Sequence, residues 1–127
     1  MTLASRLTAL ILPSFVILAS PARAADVQVA TSIVCDTQQQ AERFVALYDG
    51  DPAAAVNSVN SEAHDDNACG MLQMAYLAGP VLETARSKDM TFQIMPITVV
   101  GLVTPDGIQS VAPASFFTLF PVDERAA

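Results

Sequence analysis

The sequence lacks the short motifs that specify a reaction. It contains no glycine-rich phosphate loop, no G-x-G-x-x-G dinucleotide motif, no G-x-S-x-G nucleophile elbow and no C-x-x-C pair. Phosphate cradling, nucleophile-elbow catalysis and redox chemistry by a close dithiol therefore have no support in the sequence. We predict no catalytic residues and no cofactor, and we favour a protein that is not an enzyme.

Histidine is scarce as well, because His64 is the only one in the chain. It lies in an acidic stretch with Glu62, Asp65 and Asp66, which are residue types that bind metals. Zinc sites use three or four protein ligands, and calcium loops use a regular carboxylate spacing with a glycine. The stretch has neither pattern. We predict a solvated acidic loop over residues 60–67 and no metal, with His64, Asp65 and Asp66 as weak candidate ligands.

Paired carboxylates are the other possible acid–base groups. They occur at Asp49 with Asp51 and at Asp65 with Asp66. Glycosidase-type catalysis needs two carboxyl groups that face each other across a cleft. Asp49 and Asp51 are better explained as residues at a helix end and a helix cap, so we expect no such chemistry.

Basic residues are few, with 6 Lys and Arg against 13 Asp and Glu, so the net charge is −7. A surface of this sign repels the phosphates of nucleic acids and anionic lipid head groups, and it attracts basic partners. We expect no nucleic-acid binding. Solubility alone is the simplest explanation of the acidity, and a basic partner protein is the functional alternative.

The first residues are organised as a secretory signal peptide. Arg6 supplies a positive flank, residues 7–20 are apolar and uncharged, and Ala22 and Ala24 form a small-residue cleavage site. A spanning helix needs about 20 apolar residues, and this run is shorter and contains Pro13. We expect a signal over residues 1–24, export to the periplasm or beyond, no membrane anchor after cleavage, and one mature domain over residues 25–127. Loss of Arg6 and Arg23 changes the net charge from −7 to −9.

Only two cysteines are present, Cys35 and Cys69. Two cysteines in an oxidising compartment usually pair, and with two there is one possible connectivity. The loop that they close has about 35 residues, for which the chain-entropy model gives about 3–4 kcal/mol of stabilisation. We predict a structural disulfide that ties the start of a helical region to the start of the sheet that follows it.

The first half of the mature chain predicts one strand and two helices. Residues 27–35 alternate as a strand does. A helix follows, in which Asp36 is the cap and Gln39 completes a capping box. Its apolar residues lie on a single face and comprise Ala41, Phe44, Val45 and Tyr48. We expect this helix to end at Gly50. Asp51 and Pro52 have the residue types of a second helix start.

The second half predicts antiparallel strands. Residues 71–77 form a short apolar strand that ends at a Gly-Pro turn, and residues 81–87 fit either a strand or a helix, of which we favour the strand. A turn at residues 87–89 leads into the strand at residues 90–103, which returns as residues 108–120 through a Thr-Pro-Asp-Gly turn at residues 104–107. Pro96 must lie at an edge or a bulge, and Pro113 interrupts the last strand. A polar tail begins at about residue 121.

These elements predict an α+β fold, with one N-terminal strand, two short helices, and an antiparallel meander or small curled barrel. In the last strand, alternation places Phe116 and Phe120 on one face and Phe117 on the other. A sheet with one buried face cannot cover all three rings. We therefore favour sheet closure or a helix that covers Phe117; an exposed Phe117 would instead mark a contact surface.

Residues 35–50 and 68–70, which include both cysteines, resemble small exported bacterial proteins of uncharacterised function. The resemblance covers much of the mature chain. It implies export and a scaffold with paired cysteines, and it transfers no activity and no site residue.

The leading functional hypothesis is a non-enzymatic periplasmic or secreted protein that acts by binding, with a basic envelope protein such as a muramidase as its partner. One alternative is a ligand-binding or enzymatic pocket between the helices and the sheet, which would use Tyr48, Tyr76 and nearby acids. A structural component of the cell envelope is the third possibility.

Overall fold

A computed structural model describes residues 26–88 and 90–122. The elements follow the order β1 (Gln28–Cys35), α1 (Gln38–Leu47), α2 (Pro52–Ala63), β2 (Cys69–Ala78), β3 (Glu83–Ser87), β4 (Met90–Thr104) and β5 (Gly107–Pro121). This confirms the predicted α+β fold, and the predicted strand over residues 81–87 is confirmed in its Glu83–Ser87 part. The predicted signal peptide, the end of the polar tail and Asp89 of the predicted turn lie outside the described residues.

The five strands form one antiparallel sheet in the order β2-β1-β5-β4-β3, and β2 also pairs with β4. Strands β1, β2, β4 and β5 thus close into a ring. Strand β4 has two successive neighbours on one side: its first residues pair with β3 and residues 97–102 pair with β2. No helix within the described residues is long and apolar enough to cross a membrane.

Pro96 lies where β4 changes neighbour, between its pairing with β3 and its pairing with β2. The carbonyl of Pro96 accepts a hydrogen bond from the Gly79 N–H at 2.8 Å. The nitrogen and the carbonyl of a strand residue face the same side, so the nitrogen of Pro96 also faces Gly79. Gly79 lies just after β2, so no strand there needs an N–H from Pro96 as a hydrogen-bond donor. A Cβ atom at Gly79 would lie 2.8 Å from the Pro96 ring, which only glycine avoids.

Pro113 lies in a bulge rather than at a break in the strand. Val99 pairs with Ala114 and Gly101 with Ser110, so β5 has extra residues at this point and runs through them as one strand. The turn between β4 and β5 is as predicted: Thr104 pairs with Gly107, which has φ +119°.

Helix α1 begins one residue later than predicted. The cap is Thr37, whose Oγ1 accepts from the Gln40 N–H while the Gln40 Oε1 accepts from the Thr37 N–H, both at 3.1 Å. The predicted cap at Asp36 is wrong because the Asp36 N–H donates to the Ala68 carbonyl and extends the β1–β2 ladder. The helix ends at Leu47, before Gly50.

Helix α2 begins as predicted, with the Asp51 carboxylate accepting from the Ala54 N–H. It ends at Ala63, so the loop predicted over residues 60–67 is wrong in its first half. Asn60 lies in the last turn of this helix, and its side-chain amide accepts from the Cys69 N–H and donates to the Cys69 carbonyl, as a strand residue would. Polarity here marks a solvated side of a helix rather than a loop.

Two cores lie on opposite faces of the sheet. The helix-side core joins the helices to the sheet and contains Ile33, Cys35, Ala41, Phe44, Val45, Ala55, Val59, Cys69, Phe92, Ile94 and Leu119. The ring-interior core contains Val34, Met74, Tyr76, Ile97 and Val99. As predicted, Phe116 and Phe120 lie on one face and pack on the ring-interior core, whereas Phe117 lies on the other face and packs, partly buried, on the helix-side core.

The ring closes between β1 and β5 through a short seam. Only Ile33, Val34 and Cys35 pair with β5. Two buried hydroxyls reinforce the seam: Ser32 Oγ donates to the Leu119 carbonyl at 2.9 Å, and Thr118 Oγ1 donates to the Ile33 carbonyl at 2.6 Å.

The predicted disulfide between Cys35 and Cys69 is confirmed. The two residues are cross-strand partners at the end of β1 and the start of β2, with Cα atoms 4.0 Å apart. Both cysteines therefore belong to the sheet, and the bond closes the base of the segment that contains both helices.

Candidate binding surface

Charge is divided unevenly between two regions of the molecule. Strands β1, β2, β4 and β5 contain no charged residue, and we call them the charge-free sheet. The helices, β3 and the loops beside them form the charged layer, with Asp36, Glu42, Arg43, Asp49, Asp51, Glu62, Asp65, Asp66, Glu83, Arg86 and Lys88. Among the described residues, Asp26 and Asp106 are the acids outside this layer.

A groove of about 610 Å³ runs between α1 and α2. An ion pair crosses it, in which Arg43 Nε lies 2.8 Å from Glu62 Oε1 and Arg43 Nη2 lies 2.9 Å from Glu62 Oε2. The hydrogen bonds with Arg43 lower the pKa of the Glu62 carboxyl. Because the ion pair is bidentate, it orients both side chains, and the positive charge of Arg43 is paired with a carboxylate of the same protein.

Beside the groove, α1 and β3 bring two carboxyl groups together. Glu42 hydrogen-bonds to Glu83, which raises the pKa of Glu42 and lowers that of Glu83. Gln38 also donates its amide to Glu83 Oε2 at 2.8 Å and contributes to the lowered pKa of Glu83. Two carboxylates repel each other at this contact when both groups are ionised.

The weak candidate ligands His64, Asp65 and Asp66 lie just after α2. His64 ends the helix in the left-handed conformation, with φ 55°. The Asp65 carboxylate accepts from the Asn67 N–H at 2.8 Å, and the Asp66 carbonyl accepts from the Asn60 amide. In the described part of the chain, no three His, Cys, Asp or Glu side chains are placed to hold a metal ion.

A cavity of about 230 Å³ lies between the helices and the sheet, where the alternative hypothesis places a pocket. Tyr48 lines it, with its ring centroid 5.7 Å from that of Phe44 and 5.3 Å from that of Phe92. Tyr76 lies elsewhere, in the ring-interior core, where its hydroxyl bonds to Gln28 Oε1 and burial raises its pKa. The structure does not bring the two tyrosines together, and no acidic residue among those that the structure describes lines the cavity. The volume of a small-molecule site is usually about 300–1,000 Å³, so this cavity is smaller than a typical site.

The Glu42–Glu83 contact is the feature of this surface that sequence reasoning missed. The two residues come from separate elements, and the packing of α1 on β3 brings them together. No motif or spacing signals such a contact. The sequence offered one sign that acidic residues of the helical segment lack basic partners: Arg43 is the only basic residue in that segment.

Comparison of the chain with models of protein families finds no match, and comparisons with curated proteins and with solved structures find none either.

Proposed function

We propose that this protein is a non-enzymatic binding or accessory protein of the periplasm or the extracellular space, which docks through its charged layer on a basic envelope protein. The separation of charge is the observation that carries this proposal. An acidic surface gathered in one region attracts a cationic partner and orients it on approach. The signal-like first 24 residues and the disulfide support the compartment.

The Glu42–Glu83 pair is the best-defined point of attachment in this layer. When both carboxyls are ionised they repel each other, and a lysine or arginine of a partner placed against them removes that repulsion. Gln38 holds Glu83 in place through its amide. Arg43 is already paired with Glu62 in a bidentate ion pair.

A retention experiment on the immobilised protein tests the proposal. A purified basic muramidase and a periplasmic extract are applied separately at low salt and then at high salt. Screening shortens the Debye length from about 30 Å at 0.01 M to about 3 Å at 1 M, so a docked basic protein should elute as salt rises. If no basic protein is retained at low salt, the proposal is wrong.

Matched double variants locate the docking surface. Glu42→Gln with Glu83→Gln removes two negative charges from the charged layer, and Asp26→Asn with Asp106→Asn removes two from outside it. We expect the first pair to lose most of the retention and the second to keep it. Equal losses in the two double variants would show that net charge alone attracts the partner and that the charged layer has no special role.

A further inference from the structure

The first half of β1 is an open sheet edge within the described part of the chain. Strand β1 pairs with β2 along its whole length, but with β5 only from Ile33 to Cys35. Residues 28–31 therefore have a neighbour on one side only. Gln28, Val29 and Thr31 are exposed, whereas the second half of the strand is buried.

The hydrogen-bond pattern shows which backbone groups face the open side. The Asp36 N–H donates to the Ala68 carbonyl, so even-numbered residues of β1 exchange hydrogen bonds with β2. Odd-numbered residues then direct their N–H and C=O groups away from β2. Ile33 and Cys35 meet β5 there, and the next two, Thr31 and Val29, meet no described strand.

Pro121 is the reason that the β1–β5 ladder stops. The β1–β5 ladder ends where Leu119 lies opposite Ile33, and if it continued in this register, Pro121 would be the next residue of β5 to bond to β1, at Thr31. A proline has no N–H to donate to the Thr31 carbonyl. Strand β5 instead continues along β4, where Val122 donates to the Thr91 carbonyl at 2.8 Å.

The other partly open edges carry features that discourage pairing. The edge of β5 contains the bulge with Pro113, and β3 contains the charged residues Glu83 and Arg86. On β2, the Asn60 amide covers the backbone of Cys69 and β4 pairs from Met74 onward, so the open stretch between them is short. The open edge of β1 has no proline, glycine or charge in residues 27–31.

We propose that this edge pairs with the same edge of a second copy of the chain, antiparallel and with Val29 opposite Val29. Antiparallel pairing of two identical edges is self-complementary, as a twofold symmetric contact requires. The central position of Val29 lets positions 27, 29 and 31 of both copies exchange hydrogen bonds.

Charge favours a second copy as the occupant. Two copies of this acidic chain repel each other, and the charge-free sheet is the region where they approach with least repulsion. A basic partner gains nothing from an uncharged edge. The charged layer stays outside this contact, so the dimer would present two docking surfaces.

The dimer also covers apolar side chains that are exposed in one copy. Val27 and Val29 project from the same face of β1 and are both exposed. Pairing joins the two β1–β2 pairs into a continuous four-stranded segment, with Val29 of one copy opposite Val29 of the other and Val27 of each copy opposite Thr31 of the other.

Sedimentation of the purified, disulfide-bonded protein measures the pairing, and we expect a dissociation constant between about 10 µM and 1 mM because the contact is small. Val29→Glu places two carboxylates opposite each other and should weaken dimerisation at least about tenfold. Ile108→Glu is the matched control, because Ile108 and Val29 are both 56 % exposed and Ile108 lies off this edge.

A mixture of Val29→Glu and Val29→Lys tests the register. Opposite charges then face each other, so the mixture should form a heterodimer, whereas each variant alone sediments as a monomer. A wild-type protein that stays monomeric at every concentration overturns the proposal, as does an Ile108→Glu variant that dissociates as much as Val29→Glu. Amide exchange adds a third test: slow exchange of Val29 and Thr31 in a monomer would mean that another segment of this chain occupies the edge.

Discussion

The charged layer and the charge-free sheet are held together by different interactions. Phe44, Tyr48 and Phe92 pack the helices onto the sheet in an aromatic cluster, and the Cys35–Cys69 bond fixes the base of the helical segment. The ring instead closes through backbone pairing and two buried hydroxyls. The contacts that fix the helices on the sheet are thus aromatic and covalent, whereas most charged side chains of the charged layer are exposed.

The strongest test of this difference removes the covalent bond. Cys35→Ala with Cys69→Ala should lower the free energy of unfolding by about 3–4 kcal/mol, because the unfolded chain gains the freedom of the opened loop. Denaturant unfolding of the oxidised wild type and the double variant measures it. The reduced wild type should show nearly the same loss, and a loss below about 1 kcal/mol would show that the helix-side core holds the helices without the bond.

The second test is directed at the ring. Thr118→Val keeps the shape of the side chain but removes the hydroxyl that donates to the Ile33 carbonyl across the β1–β5 seam. We expect a loss of about 1–2 kcal/mol because a buried hydrogen bond is removed. Thr98→Val is the control, since Thr98 lies in the same sheet away from the seam. Similar losses in the two variants would mean that the seam hydroxyl has no special role.

The smallest effect is expected at the carboxyl pair, and it depends on pH. The raised pKa of Glu42 contributes stability below the unfolded pKa of a glutamate, and this contribution is lost as pH rises through the folded pKa. The lowered pKa of Glu83 contributes stability above the unfolded value, and this is lost as pH falls through its folded pKa. The pair is therefore most favourable between these two folded pKa values.

Glu42→Gln keeps a donor toward Glu83 and removes the charge. Its melting temperature should exceed that of the wild type at neutral pH, and the difference should vanish as pH falls below the raised pKa of Glu42. Thermal unfolding across about pH 4 to pH 8 measures this, with Asp106→Asn as a variant of equal charge change. If the two variants behave alike, only the net charge matters.

Local patterns in the sequence predicted the elements because their causes are local. Alternation identified β1 and both faces of β5, and Asp51 with Pro52 identified the start of α2. The cap of α1 was missed by one residue because a tertiary hydrogen bond from Asp36 to Ala68 decides it. The end of α2 was missed because residues 61–63 are exposed and add nothing to the apolar stripe from which the helix was predicted.

The closure of the ring and the carboxyl pair depend on distant contacts. The β2–β4 pairing requires a register shift at Ala75 and Tyr76, which no residue pattern announces. Glu42 meets Glu83 only because α1 packs against β3. The sequence showed an acidic chain, and the structure showed that its described charges are gathered almost entirely on one side.

The position of the disulfide also determines what a protease can do to this protein. Every peptide bond from Asp36 to Ala68, including those in both helices, lies inside the loop that Cys35 and Cys69 close. One cut there leaves the two pieces covalently joined, and β1 stays paired with β2 in the same register. A nicked molecule would therefore keep its ring and run as two fragments only after reduction.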